Sequence, residues 1–147
     1  KENHVTKINF ENLSVEHLPL PESWKFKLVD SGIHRRLSEV DYQTNTAYLE
    51  SHVKEENERV AYAVVAGAEK LGRLLNQSHE SLRKLGVSLP EIDELVYELQ
   101  STDGVLGARM IGGGFGGMII VLVNDEEILP NSILVSSSGT FTFEEFS

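Results

Sequence analysis

Gly112-Gly113-Gly114-Phe115-Gly116-Gly117 is the stretch whose residue types and spacing could do chemistry, because backbone without Cβ atoms can lie directly against a phosphate or a sugar. Seven of the chain's twelve glycines fall between Gly104 and Gly117, and an unbroken apolar run, Met118 to Val123, follows them. Such a cluster loses much freedom on folding and packs little. It is tolerated where the backbone must reach positive φ or touch another surface closely. Gly112-x-Gly114-x-x-Gly117 matches the dinucleotide-binding fingerprint letter for letter, yet that fingerprint works by presenting a helix N-terminus to pyrophosphate. Here Met118–Val123 reads as a strand, so the dipole is missing. A Walker loop ends in Gly-Lys-Ser/Thr, and this one ends in Gly-Gly-Met. A protein-kinase glycine loop needs a lysine on a following strand, and no lysine follows Lys84.

Charge narrows the chemistry further. From Leu85 to Ser147 the only cation is Arg109, set against ten carboxylates. A triphosphate held in this half would have one positive side chain beside it, and backbone N–H groups seldom suffice alone. Two readings of the loop therefore stay open on spacing. It approaches a phosphate or sugar with help from elsewhere, or it is a turn between packed strands that leave no room for Cβ atoms.

The elements that carry the loop are legible from periodicity. His4–Phe10, Ser14–Leu20 and Trp24–Val29 read as strands, the last alternating Trp24, Phe26 and Leu28 with Lys25 and Lys27 before Asp30-Ser31-Gly32 breaks it. Ser38 with Asp41 resembles a helix start. A longer helix is expected from about His52 to Ala66, with Val53, Val60, Val64 and Val65 among its buried positions and Gly67 as its stop. A second runs from Ala68 to Leu85 with Leu71, Leu74, Leu75, Leu82 and Leu85 as its apolar stripe, ended by Gly86. A third starts near Pro90, with Ile92, Leu95, Val96 and Leu99 as its stripe. Strands return at Val105–Ile111, Met118–Val123, Ile133–Val135 and Thr140–Phe143. Strands, helices and strands again indicate an α+β domain, a mostly antiparallel sheet with helices on one face.

The length of 147 residues fits one domain, and 40% hydrophobic with 24% charged residues is ordinary globular composition. No apolar run approaches a membrane span. A net charge of −10 argues against nucleic acid or an anionic membrane as partner. The absence of cysteine excludes disulfides, thiolate catalysis and Cys-based zinc sites. The opening Lys-Glu-Asn-His carries no methionine, so Lys1 is not expected to be where translation began.

Gly107-Ala108-Arg109-Met110-Ile111 and the glycine loop through Gly117 resemble the third motif of the GHMP small-molecule kinases in its galactokinase form. Asp30-Ser31-Gly32-Ile33-His34-Arg35-Arg36-Leu37 through Tyr42 is similar to that family's segment placing a tyrosine beside the sugar. His52 with Glu56-Asn57-Glu58-Arg59-Val60 resembles the helix after it. Leu71-Gly72-Arg73-Leu74-Leu75-Asn76-Gln77-Ser78-His79-Glu80-Ser81-Leu82 resembles the helix leading to Pro90–Val96. Four segments in order cover most of the chain. The resemblance implies the C-terminal, ferredoxin-like domain of a cytoplasmic sugar kinase that moves the γ-phosphoryl of ATP onto the anomeric hydroxyl of a galactose-type sugar. It also implies that the phosphate loop and catalytic aspartate lie in an N-terminal domain upstream of Lys1, with residues 1–30 shared with that domain. ATP and Mg²⁺ then belong to the full-length protein, and this chain alone is expected to bind neither and to be inactive. The alternative is a non-catalytic sugar-binding or regulatory protein on the same fold.

Carried over residue by residue, Tyr42 matches the sugar-contacting tyrosine, a phenol offering a ring face and a hydroxyl. Without the family it reads equally as a partly buried tyrosine. Gly112, Gly113, Gly114, Phe115, Gly116 and Gly117 match the loop that packs against the phosphate loop and borders the substrate. His34 and Arg35, with Arg36, stand where the family often has a basic residue near the nucleotide, and a solvated cluster fits them as well. His52 and His79 lack metal-ligand spacing and read as helix-surface or capping residues. Glu55, Glu56 and Glu58 read as a solvated face. The chain departs from the family at Ile111, where a hydroxyl residue is usual, at Met118, where cysteine is common, and at Asn45-Thr46, where the family has an arginine pair. The stretches Tyr42 to His52 and Asn124–Asn131 are also short.

Overall fold

The computed structural model describes residues 4–9, 14–34, 45–63, 66–111, 116–136 and 139–141. The alternation of Trp24–Val29 becomes β3 (Lys25–His34), the middle strand of a five-stranded antiparallel sheet in the order β4-β5-β3-β6-β7. Its neighbours are β5 (Gly116–Val123) and β6 (Ile133–Ser136), while β4 (Val105–Met110) and β7 (Gly139–Phe141) form the edges. Phe26 pairs with Leu122 on one side and Val135 on the other. β1 (His4–Asn9) and β2 (Ser14–Pro19) pair with each other in a separate two-stranded sheet.

Asp30-Ser31-Gly32 does not end β3 as expected. The strand continues to His34 after a register irregularity between Asp30 and His34. Gly32 takes φ +72, and its N–H bonds Asp30 Oδ1 at 2.9 Å, so the triplet makes a kink inside the strand. Lys27, a polar member of the alternation, is only 3% exposed. Burial lowers its pKa, and the charge of Glu126 offsets part of that.

The helices are α1 (Thr46–Ala63), α2 (Ala68–Leu85) and α3 (Pro90–Gln100). α2 follows its expected bounds, and α3 begins at Pro90 as expected. Gly86 closes α2 in the left-handed region at φ +86, with its N–H on Arg83 O and the Val87 N–H on Leu82 O. α1 begins earlier than expected because Asn45 caps it, accepting the Tyr48 N–H on Oδ1. Val53 and Val60, expected to be buried, are 49% and 48% exposed. The face that meets α2 is polar instead, carrying Tyr48, His52, Glu56 and Arg59. Val64 and Val65 lie outside the described residues.

Two core clusters follow from β5. Ile119, Val121 and Val123 join Ala108, Met110 and the α3 stripe of Ile92, Val96 and Leu99. Leu122 joins Trp24, Ala66, Leu71 and Leu74 in the other. Alternate residues of one strand thus serve separate clusters. Trp24 Nε1 donates to Ala66 O at 3.3 Å and ties the start of β3 to the α1–α2 junction. At the sheet edge, Gly72 of α2 and Gly107 of β4 meet backbone to backbone. Among the described residues no helix is long and apolar enough to cross a membrane.

Candidate functional site

The glycine loop leaves β4 at Met110 and re-enters the sheet at Gly116. The Ile111 N–H bonds Met118 O at 3.2 Å and draws the two ends together. On the other side of β5, Asp30 pairs with Met118 and His34 with Gly116. Three chain ends, 30–34, 109–111 and 116–118, therefore gather at one end of the sheet. Of the residues expected at the site, His34, Gly116 and Gly117 are brought together here. Tyr42, Arg35, Gly112, Gly113, Gly114 and Phe115 lie outside the described residues.

The glycines divide between the two uses left open by their spacing. Gly107 is a packing glycine, pressed against α2 where a Cβ has no space. Gly117 is the opposite case. It holds φ +92, and among the described residues a Cβ built on it would meet nothing within 4 Å. Its bare backbone is required by conformation rather than by packing against any described residue.

Behind the loop lies a polar network that joins α1, α2 and β4. Arg109 donates from Nε to the Met110 carbonyl at 2.8 Å and from Nη1 to Ser78 Oγ at 2.7 Å, and its guanidinium stands 3.7 Å from Glu56. Ser78 Oγ lies 2.8 Å and 3.0 Å from the two Glu56 oxygens, and Arg59 Nε donates to the same carboxylate at 2.9 Å. Burial pushes the Glu56 pKa up. The hydrogen bonds from Arg59 and Ser78, with the charges of Arg109 and Arg59, outweigh it and hold the carboxyl below the usual value. Burial lowers the pKa of Arg109, partly countered by Glu56. Glu56 is thus a partly buried, ion-paired anion rather than a member of a solvated face, whereas Glu58 is exposed. The lone cation after Leu85 is already committed to Glu56, Ser78 and its own strand. The described side chains of that half therefore bring no uncommitted cation to a phosphate.

Two histidines differ from each other. His52 is half-buried, with Nδ1 2.7 Å from Ser81 Oγ, in keeping with a helix-surface position. His79 is fully buried, against expectation. Its Nδ1 accepts the Met110 N–H at 3.3 Å, which leaves the ring proton on Nε2, 2.8 Å from Asp93 Oδ1. Ser88 donates to the same carboxylate oxygen at 2.6 Å. No sequence spacing announces this arrangement, since α2, α3 and β4 meet only in the folded chain. The nearest signal is the placement of Ser78 and His79 on the helix that carries the Leu71–Leu85 apolar stripe.

A cleft of about 300 Å³ between α1 and α2 is lined by Tyr48, Glu55, Arg59, Gln77, Glu80, Ser81 and Lys84. Its two cations face two carboxylates, so it has no net preference for an anion. It contains none of the expected site residues. Among the described residues no group of three His, Cys, Asp or Glu could hold a metal ion.

Comparison with known proteins agrees with this fold. The family model described as GHMP kinases C terminal matches residues 50–130. The galactokinase of Thermotoga neapolitana is 37% identical over 83% of this chain and 45% of its own length. That of Actinobacillus pleuropneumoniae is 44% identical over 63% of this chain and 26% of its own. Among solved structures, Lactococcus lactis galactokinase complexed with galactose matches 97% of this chain and 53% of that chain, with a TM-score of 0.73 at 24% identity. Methanococcus jannaschii mevalonate kinase matches 80% of this chain and 39% of that one, with a TM-score of 0.59 at 25% identity. The chain spans about half the length of the curated relatives it matches.

Proposed function

We propose, on the premise that this chain belongs to the GHMP kinase C-terminal family, that it is the later part of a sugar kinase of the galactokinase type. In the whole protein the γ-phosphoryl of ATP passes to the anomeric hydroxyl of a galactose-type sugar. The observation that carries this reading is the pairing of His34 with Gly116. This supports the reading because residues 30–34 and 116–118, parts of two stretches that resemble the same site from distant parts of the sequence, are neighbours in the sheet.

The division of labour follows from charge. Phosphoryl transfer needs positioning and neutralisation by a loop, Mg²⁺ and cations. Arg109 is committed to Glu56 and Ser78, which supports assigning those groups to an N-terminal domain of the same protein, as the resemblance implies. We assign ATP and Mg²⁺ to that whole protein and the bare backbone around Gly117 to the wall of its cleft. The separate β1–β2 sheet fits a segment shared with the upstream domain. A cytoplasmic setting fits such a metabolic enzyme.

The test is an ATP-dependent phosphorylation assay with galactose on the full-length gene product and on this chain. Turnover by the full-length protein alone supports the proposal. Turnover by this chain alone overturns the division of labour. A full-length protein that binds galactose in calorimetry without turning it over is a sugar-binding or regulatory protein instead.

A further inference from the structure

β4 is an edge strand, so the N–H groups on its outer side have no neighbouring strand to meet. α2 supplies the partners. Asn76 Oδ1 accepts the Ala108 N–H at 2.9 Å, and His79 Nδ1, one turn further on, accepts that of Met110. Between them Ser78 meets the side chain of Arg109. Three residues of one helix thus engage three consecutive residues of the strand, from Ala108 to the last residue before Ile111 and the glycine loop.

Ser78 differs from the other two in what stands behind it. A hydroxyl has one proton to give and lone pairs to receive. Here it receives from Arg109 Nη1 and gives to Glu56, which Arg59 holds in turn. Arg109 reaches forward from Nε to the Met110 carbonyl. The relay Glu56–Ser78–Arg109 therefore ends on the peptide that joins β4 to Ile111. Asn76 and His79 hold the strand to the helix. The Ser78 relay holds the carbonyl of the peptide that aims the chain into the loop, while the N–H of that peptide, on Ile111, bonds Met118 O.

We propose that Ser78 and Glu56 are positioning residues for the glycine loop, acting through Arg109 to fix the direction in which the chain leaves β4. This rests on the kinase reading above for its catalytic consequence, but not for its structural one. A loop held in one direction lets a cleft wall meet the reacting groups at a fixed distance, and small misplacements cost rate more than binding.

The experiment uses the full-length protein. In Ser78→Ala, hydrogen exchange of the amides over residues 111–118 should rise about tenfold while those of α3 stay as they were. The kcat should fall about tenfold, with KM for ATP and sugar within about twofold. Ser78→Thr, which keeps a hydroxyl, should restore both. Glu56→Gln, which still accepts from Ser78 but loses the charge, should show the same pattern more weakly, and it stands in should Ser78→Ala not fold. Exchange rising equally throughout the domain, or an unchanged loop with unchanged kcat, overturns the proposal. A wild-type protein without sugar-dependent ATP turnover sinks the kinase reading alone, and the exchange pattern then decides the positioning role by itself.

Discussion

Gly72 and Gly107 face one another across the contact of α2 with β4 with no Cβ between them. A methyl on Gly72 would stand 2.1 Å from the Leu106 carbonyl oxygen, and one on Gly107 would stand 2.1 Å from the Gly72 carbonyl oxygen. Both obstacles are backbone, which cannot rotate aside. The close approach is what lets Asn76 and His79 reach the edge of β4. Gly72→Ala or Gly107→Ala should therefore force the helix off the strand and cost about 3 kcal/mol. Urea unfolding followed by the fluorescence of Trp24, the single tryptophan, measures this directly. A loss below about 0.5 kcal/mol in both variants would show that the contact can relax.

Glu56 predicts how the domain responds to acid. Its carboxyl is held below the ordinary value of 4.5 in the folded state, so the fold favours the charged form. That contribution is complete above 4.5 and is lost as pH falls through the folded pKa. Glu56→Gln should be less stable than the parent by about 1–2 kcal/mol at pH 7, where a charge-assisted bond is replaced by a neutral one. The gap should close as the solution is acidified. Denaturation midpoints of both proteins across the acid range provide the check, and a gap that stays constant would argue that Glu56 does not titrate with folding.

The pairing of buried His79 with partly buried Asp93 predicts coupling. Removing the carboxylate leaves a fully buried Nε2–H without its acceptor, which costs more than one hydrogen bond is worth. Asp93→Ala should lose about 2 kcal/mol and also loosen Ser88. In a double-mutant cycle with His79→Ala, the interaction energy should be at least about 1 kcal/mol. Additive losses would mean that the two side chains support the fold separately.

Much of this architecture was legible because local rules agreed with the fold. Gly86 ended α2 and Pro90 opened α3 as their chemistry demands, and Leu71, Leu74 and Leu85 of the one stripe and Ile92, Val96 and Leu99 of the other are buried. α1 shows where that logic stops. Its valines repeat with helical spacing, yet the face that meets α2 is chosen by His52 and Glu56, whose partners Ser81 and Ser78 lie on another helix. Hydrophobic period alone has no access to that. The site divides in the same way. Chain order showed the glycine loop and the segment after Asp30, because glycine and motif spacing are local. The Glu56–Ser78–Arg109 relay and the burial of His79 depend on contacts between distant parts of the chain.

Lys27 supplies a last prediction, one that runs against the usual direction. It lies in the central strand, 3% exposed, where strand alternation had marked it as polar. Burial disfavours its ammonium and lowers its pKa from 10.5, while Glu126 recovers only part of the loss. A base whose folded pKa lies below its unfolded one costs stability at neutral pH, and the cost fades as pH rises through the folded value towards 10.5. Methionine has a similar unbranched reach and no charge to desolvate. Lys27→Met should therefore stabilise the domain by about 1 kcal/mol at pH 7, and the gain should shrink in alkali. Glu126→Gln should destabilise the parent and leave Lys27→Met unaffected, because its only role in this pair is to offset the ammonium. Thermal midpoints of the four proteins at neutral and alkaline pH decide it. A destabilised Lys27→Met at pH 7 would show instead that the ammonium makes a contact worth more than its desolvation.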